Sequence, residues 1–163
     1  MADRGSNDSD HDMVSYGLAP RKDVWRKYEL LKNIKKIIDE LNYSVDFTIV
    51  EGIHDEKALR LLGYNGPIIK LCGSGLTISG LIDEISTKFQ GGRAAILVDF
   101  DKEGKQLNQR LIMKLNAKGI KINQNIRKRL ENLVGLEGIY TIEGINALKK
   151  FMNKEFTYLD IEI

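Results

Sequence analysis

The segment ILVDFDKEG, residues 96–104, is an apolar run that ends on two carboxylates one residue apart, Asp99 and Asp101. A carboxylate is costly to dehydrate, so a pair at the tip of an apolar run needs a reason for being there. Upstream, FTIVEG at 47–52 closes in the same manner on Glu51. If both runs are strands and lie side by side, three acids reach one crevice. Oxygen ligands of that kind suit a hard divalent cation, Mg²⁺ or Mn²⁺, which keeps several of its waters and relieves the repulsion between neighbouring carboxylates. The plainer use of the pair is structural, with Asp101 as the N-cap of a following helix and Asp99 in solvent. Asp101 can serve both purposes.

The elements that must position these residues follow from periodicity. Val24, Tyr28, Leu31, Ile34, Ile37, Ile38 and Leu41 recur at helical spacing, which predicts an amphipathic N-terminal helix over 22–42. Strand and helix patterns then alternate. Strands are expected at 47–52, 67–71, 94–100 and 119–123, with a final one at GIYTIEG, 138–144. Helices are expected over DEKALRLLG (closed by Gly63), 77–89, 104–117 and 125–134. This alternation predicts an α/β fold, a Rossmann-like parallel sheet of about four to five strands with helices on both faces, preceded by the N-terminal helix. The continuous apolar character of AAILVDF suits a strand covered on both sides. In such sheets ligands bind beyond the carboxyl ends of the strands, where Glu51, Asp99 and Asp101 fall. The expected organisation is a disordered tail or added segment at 1–12, the helix at 22–42, the α/β domain at 46–146 and a C-terminal extension, 147–163, packed on that domain.

With 163 residues, 42% of them hydrophobic, the chain can bury one domain core. No apolar run approaches the roughly 18 residues of a membrane span, and the N-terminus is polar, so no membrane partner and a cytoplasmic location are expected. Cys72 is the single cysteine, which excludes an internal disulfide, and it is expected to be a small core residue. No Cys/His grouping has zinc spacing. The net charge of +2 hides an uneven distribution, because residues 102–129 hold nine Lys and Arg against the single acid Glu103. Arg110, Lys114 and Lys118 recur every four residues on one helix face, and Arg127, Lys128 and Arg129 begin the next helix. Both sets are expected to bind nucleic acid, tracking a phosphate backbone into the acidic crevice. The alternative is that they are solvated helix faces.

Taken in order, IVEGIHD (49–55) and ILVDFDKEG (96–104) resemble the two motifs of the Toprim domain, which is shared by topoisomerases, bacterial-type primases and small nucleases. Glu51, Gly52 and Asp55 match the first motif, a strand ending in Glu-Gly with an Asp three residues later. Asp99, Asp101 and Gly104 match the second, D-x-D-x-x-G. KLCGSGL (70–76) resembles the intervening strand and turn of the small 5S ribosomal RNA maturases in that family. The likeness covers roughly residues 47–145. It implies that Glu51 is a general acid or base or a metal ligand, and that Asp99 and Asp101 bind Mg²⁺. It further implies a Mg²⁺-dependent, phosphodiester-cleaving nuclease on structured nucleic acid, RNA in preference to DNA, with a ribosomal or other protein as partner. The alternative is a Toprim-type module that binds metal and nucleic acid, or serves assembly, without cleaving. A topoisomerase would need a nucleophilic-tyrosine domain and a primase zinc-binding regions, for which this chain has no room.

Other features are weaker. Glu103 is either an acid complementing the helix dipole or a holder of outer-shell water, and Asp55 either a helix cap or an outer partner of the site. TIEGI (141–145) echoes IVEGI (49–53), but no D-x-D lies near Glu143 in sequence, and it is read as structural. His54 is expected to be exposed. GSGLTISG (73–80) lacks the spacing of a phosphate-binding loop and is read as a turn walling the pocket.

Overall fold

Strand β1 (Phe47–Val50) is buried at all four positions because it runs through the middle of a sheet covered on both faces. The computed structural model describes residues 21–157, so the expected tail at 1–12 and residues 158–163 lie outside the described part. β2 (Ile68–Lys70), β3 (Arg93–Ile96) and β4 (Lys121–Ile122) complete a four-stranded, all-parallel sheet in the order β2-β1-β3-β4. Thr48 stands opposite Ile68 on one side and Ala95 on the other, so the ends of β1 and β3 lie level. Side chains alternate with the pleat: Phe47, Ile49, Ala94 and Ile96 point to one face, Val50, Ala95 and Leu97 to the other.

Six helices cover these faces among the described residues. The N-terminal helix α1 (Lys22–Ser44), α2 (Ile53–Leu61), α5 (Gln124–Gly135) and α6 (Ile142–Thr157) share one core, built around Ile38, Leu41, Leu59, Leu130 and Ile145. On the other face α3 (Ile78–Lys88) and α4 (Lys102–Ala117) bury Ile82, Ile85, Leu111 and Leu115 against Phe47 and Ile49. The chain winds outward from β1 to β2, then crosses back to β3, with α2 and α3 on opposite faces. That reversal opens a crevice at the carboxyl ends of β1 and β3, the topological switch point.

The expected final strand at 138–144 does not form. Gly138, at φ +67°, ends α5 together with the bond from Ile139 N–H to the Val134 carbonyl. Thr141 Oγ1 then accepts from Gly144 N–H at 2.9 Å and starts α6, whose Ile142, Ile145, Leu148 and Met152 are buried at helical spacing. The apolar residues there follow a period of 3.6, which outweighs the β-branched composition of GIYTI. α6 also runs across the expected domain boundary at 146/147. Cys72 is exposed, not a core residue, because β2 ends at Lys70 and the chain turns outward into the glycine loop. Among the described residues no helix is long and apolar enough to cross a membrane.

Candidate acidic site

Glu51 is the first residue past β1, and its carboxylate reaches across the crevice, where Oε1 accepts from Asp99 N–H at 3.1 Å. β3 ends at Ile96, and the chain from Leu97 to Asp101 is neither strand nor helix, so hydrogen bonds from outside must hold it. Asp101 is the N-cap of α4, with Oδ1 accepting from Gly104 N–H at 2.7 Å. A Cβ on Gly104 would sit 2.0 Å from the Asp99 carbonyl oxygen, so the glycine of D-x-D-x-x-G is there for want of space. The helix's first turn presses directly on the loop that carries the aspartates. Glu51, Asp99, Asp101, Glu103, Leu107 and Arg110 line a cavity of about 210 Å³ at this point.

Burial, and after it the crowding of like charges, perturbs the site. Asp99 is pushed up to about 6, first by burial and then by Glu51, Asp55 and Asp101, with Arg127 opposing. Asp55 Oδ2 accepts from Gly52 N–H at 3.2 Å at the start of α2. Burial raises the Asp55 pKa, and Glu51 and Glu143 raise it further, while the Gly52 bond and His54 pull it down. Glu143, read from sequence as structural, therefore adds to the field of this cluster from the first turn of α6. The echo between TIEGI and IVEGI is the sequence signal that points to it. His54 is exposed, as expected.

The basic residues divide. Arg110 lines the acidic cavity, Lys114 and Lys128 are exposed, and Lys118 pairs with Asp83 at 2.8 Å. Arg129 pairs with Glu40 of α1 at 2.5 Å. Arg127 cannot join a surface track, because it is only 5% exposed. It lies on the same helical stripe as Ile126, Leu130 and Val134, so the Arg-Lys-Arg block is split between the inside and the outside of α5. Its Nη1 donates to the Val98 carbonyl and its Nη2 to the Asp99 carbonyl at 2.5 Å, with the guanidinium 4.9 Å from the centre of the Phe100 ring. Burial lowers its pKa, while Glu131, Asp99, Glu51 and Asp101 draw it back up.

Among the described residues no group of three His, Cys, Asp or Glu side chains is arranged to hold a metal ion. Glu51, Asp99 and Asp101 share a cavity but do not form a ready three-ligand cage. Mg²⁺ does not require one, since it is commonly held by one or two carboxylates and keeps the rest of its shell as water. Asp99 and Asp101 meet that smaller demand in type and number, and each of Glu51 and Asp101 has one oxygen committed to a backbone N–H and a second beyond that bond.

A UPF0292 protein of Pyrococcus abyssi is 34% identical over 119 residues, 70% of this chain and 86% of the relative. Another, from Thermococcus onnurineus, is 32% identical over 117 residues, 69% and 84% of the two chains. The chain belongs to the UPF0292 family. The UPF0292 protein of Methanocaldococcus jannaschii matches over 134 residues, 97% of its length, at 29% identity. A solved structure of a protein from Aquifex aeolicus superposes with a TM-score of 0.50 and 28% identity, covering 71% of this chain and 94% of the other. No protein-family model matches the sequence.

Proposed function

We propose that this UPF0292 protein is a Mg²⁺-dependent nuclease of Toprim type that cleaves phosphodiesters in structured nucleic acid, RNA in preference to DNA, with Mn²⁺ as an alternative ion. The observation that carries the proposal is the meeting of Glu51, Asp99 and Asp101 around one cavity at the β1/β3 switch point, with Arg110 on its wall. A bound divalent cation would supply Lewis acidity and charge neutralisation at a phosphodiester. Asp99 and Asp101 would hold that cation. Glu51, tethered through Oε1, has Oε2 with which to hold or move a proton. Arg110 would neutralise a phosphate oxygen entering the cavity. Lys114 and Lys128 add positive charge on the exposed faces of the two helices that follow.

The test is cleavage of total RNA and of supercoiled DNA by the full chain, with Mg²⁺ or Mn²⁺ and with or without cell extract to supply a ribosomal or other protein partner. Metal-dependent cleavage is expected, and Glu51→Gln should reduce it by about 10²-fold or more while leaving nucleic-acid affinity largely intact. The lack of a ready three-carboxylate cage favours, as a second reading, a module that binds without cutting. Absence of metal-dependent cleavage under every partnered condition would select that reading.

A further inference from the structure

We infer that Arg127 is a positioning residue of the acidic site: by donating to the consecutive carbonyls of Val98 and Asp99 it fixes the loop that presents Asp99 and Asp101. The inference rests on the proposed cation site and deepens it. A guanidinium has five N–H donors in a planar fork and is costly to bury, so its burial on the inner stripe of α5 requires defined partners. Those partners are main-chain carbonyls, not the carboxylates. Arg127 thus leaves the acidic oxygens available while setting the orientation of two successive peptide groups. Its stacking near the Phe100 ring brings a third consecutive residue under the same side chain.

The side chains of Leu97, Val98 and Phe100 anchor this segment in the two cores, but few hydrogen bonds fix its peptide groups. Past Leu97 it has no strand pairing, and Asp101 bonds to α4 through its side chain and its carbonyl. Asp99 N–H goes to Glu51, and Phe100 N–H goes to the Tyr140 carbonyl at 2.7 Å. Gly104 packs against the Asp99 carbonyl from the side of α4. Arg127 thus links α5 to the peptide groups of the aspartate loop by hydrogen bonds, and lysine, a point charge without the fork, cannot bridge two carbonyls in the same way.

The sign of one measurement separates this role from a purely electrostatic one. A cation beneath the site repels a divalent ion, so if charge were all that Arg127 contributed, its removal would tighten metal binding. If it positions the aspartates, removal loosens binding, as loss of an outer partner of a metal site commonly costs about 10-fold to 100-fold in affinity. Calorimetry with Mn²⁺ alone on the full chain is expected to show at least about tenfold weaker binding in Arg127→Met and a smaller loss in Arg127→Lys. Affinity in Arg127→Met equal to or tighter than wild type overturns the inference. If wild type binds no Mn²⁺, the cation reading fails by itself, and amide hydrogen exchange decides the positioning role. Asp99 and Gly104 N–H should then exchange faster in the variant relative to core amides of β1 and β3, and an unchanged ratio overturns the inference. Should Arg127→Met not fold, Arg127→Lys carries both measurements, and wild-type values in both overturn the inference.

Discussion

Asp99 is the residue on which the site's electrostatics turn. Its carboxyl, pushed up to about 6, is more easily protonated in the folded chain than in the unfolded one. The folded state therefore binds the proton more tightly, and the associated stability is present below the unfolded carboxyl range and lost as pH rises through about 6. Asp99→Asn removes a charge that is unfavourable at neutral pH. In chelator, thermal unfolding at pH 7.5 should give a higher Tm for the variant than for wild type, with the gap closing toward pH 4. A variant less stable than wild type at pH 7.5 would mean that the carboxylates are not held against their mutual repulsion. Adding Mg²⁺ should raise the Tm of wild type and leave Asp99→Asn nearly unmoved, because only a bound ion stabilises the folded state by mass action. Asp99 and Glu51 are legible as a pair because each closes an apolar run. Asp55 is legible through its place in the first motif and Glu143 only through the echo of TIEGI with IVEGI, but that both act on one field follows from the packing of α2 against α6.

At the scale of elements, the join between β3 and α4 is the tightest part of the fold's site-bearing edge. Gly104 is buried in the first turn of α4 against the Asp99 carbonyl. Gly104→Ala must push the helix off the loop, and denaturant unfolding should show a loss on the order of 3 kcal/mol, the range of an overpacked core position. Gly135, at the end of α5, has nothing near the place of a Cβ. Gly135→Ala is expected to be neutral or to stabilise by about 0.5 kcal/mol through helix propensity. Equal effects at both positions would mean that backbone freedom, not steric crowding, governs Gly104. The same scale explains the misread strand at 138–144: GIYTI has strand composition, but Thr141 and the buried stripe from Ile142 to Met152 hand it to a helix.

For the whole molecule, the question is whether its positive charge forms a track. Arg110 lines the acidic cavity and Lys114 follows four residues later on α4, whereas Lys150 and Lys154 lie in the C-terminal half of α6. On a phosphate track, Arg110→Ala with Lys114→Ala should shallow the dependence of log affinity on log salt by about one unit for each phosphate that is no longer neutralised. Lys150→Ala with Lys154→Ala should change it little. Fluorescence anisotropy over a salt series with a structured RNA measures both, and equal slopes for the two double variants would return these residues to the role of solvated faces.

From α1 to α5 the order of strands and helices, the apolar faces and the acids at two strand ends were determined by the sequence itself, because each is written in a continuous apolar run, in a period of 3.6 residues or at the end of such a run; the strand composition of 138–144 misleads, and α6 starts there. Only the tertiary structure decided which strands are neighbours, and so that Glu51 reaches Asp99. It also decided the fate of the basic block, since a run of three cations looks uniformly exposed until the packing of α5 against β3 selects one side. Arg127 was turned inward by that packing, and its donors went to the carbonyls that the end of β3 leaves without a strand partner. Local pattern records what a residue prefers; which partner it meets depends on contacts between segments distant in the chain, and those exist only once the sheet has closed.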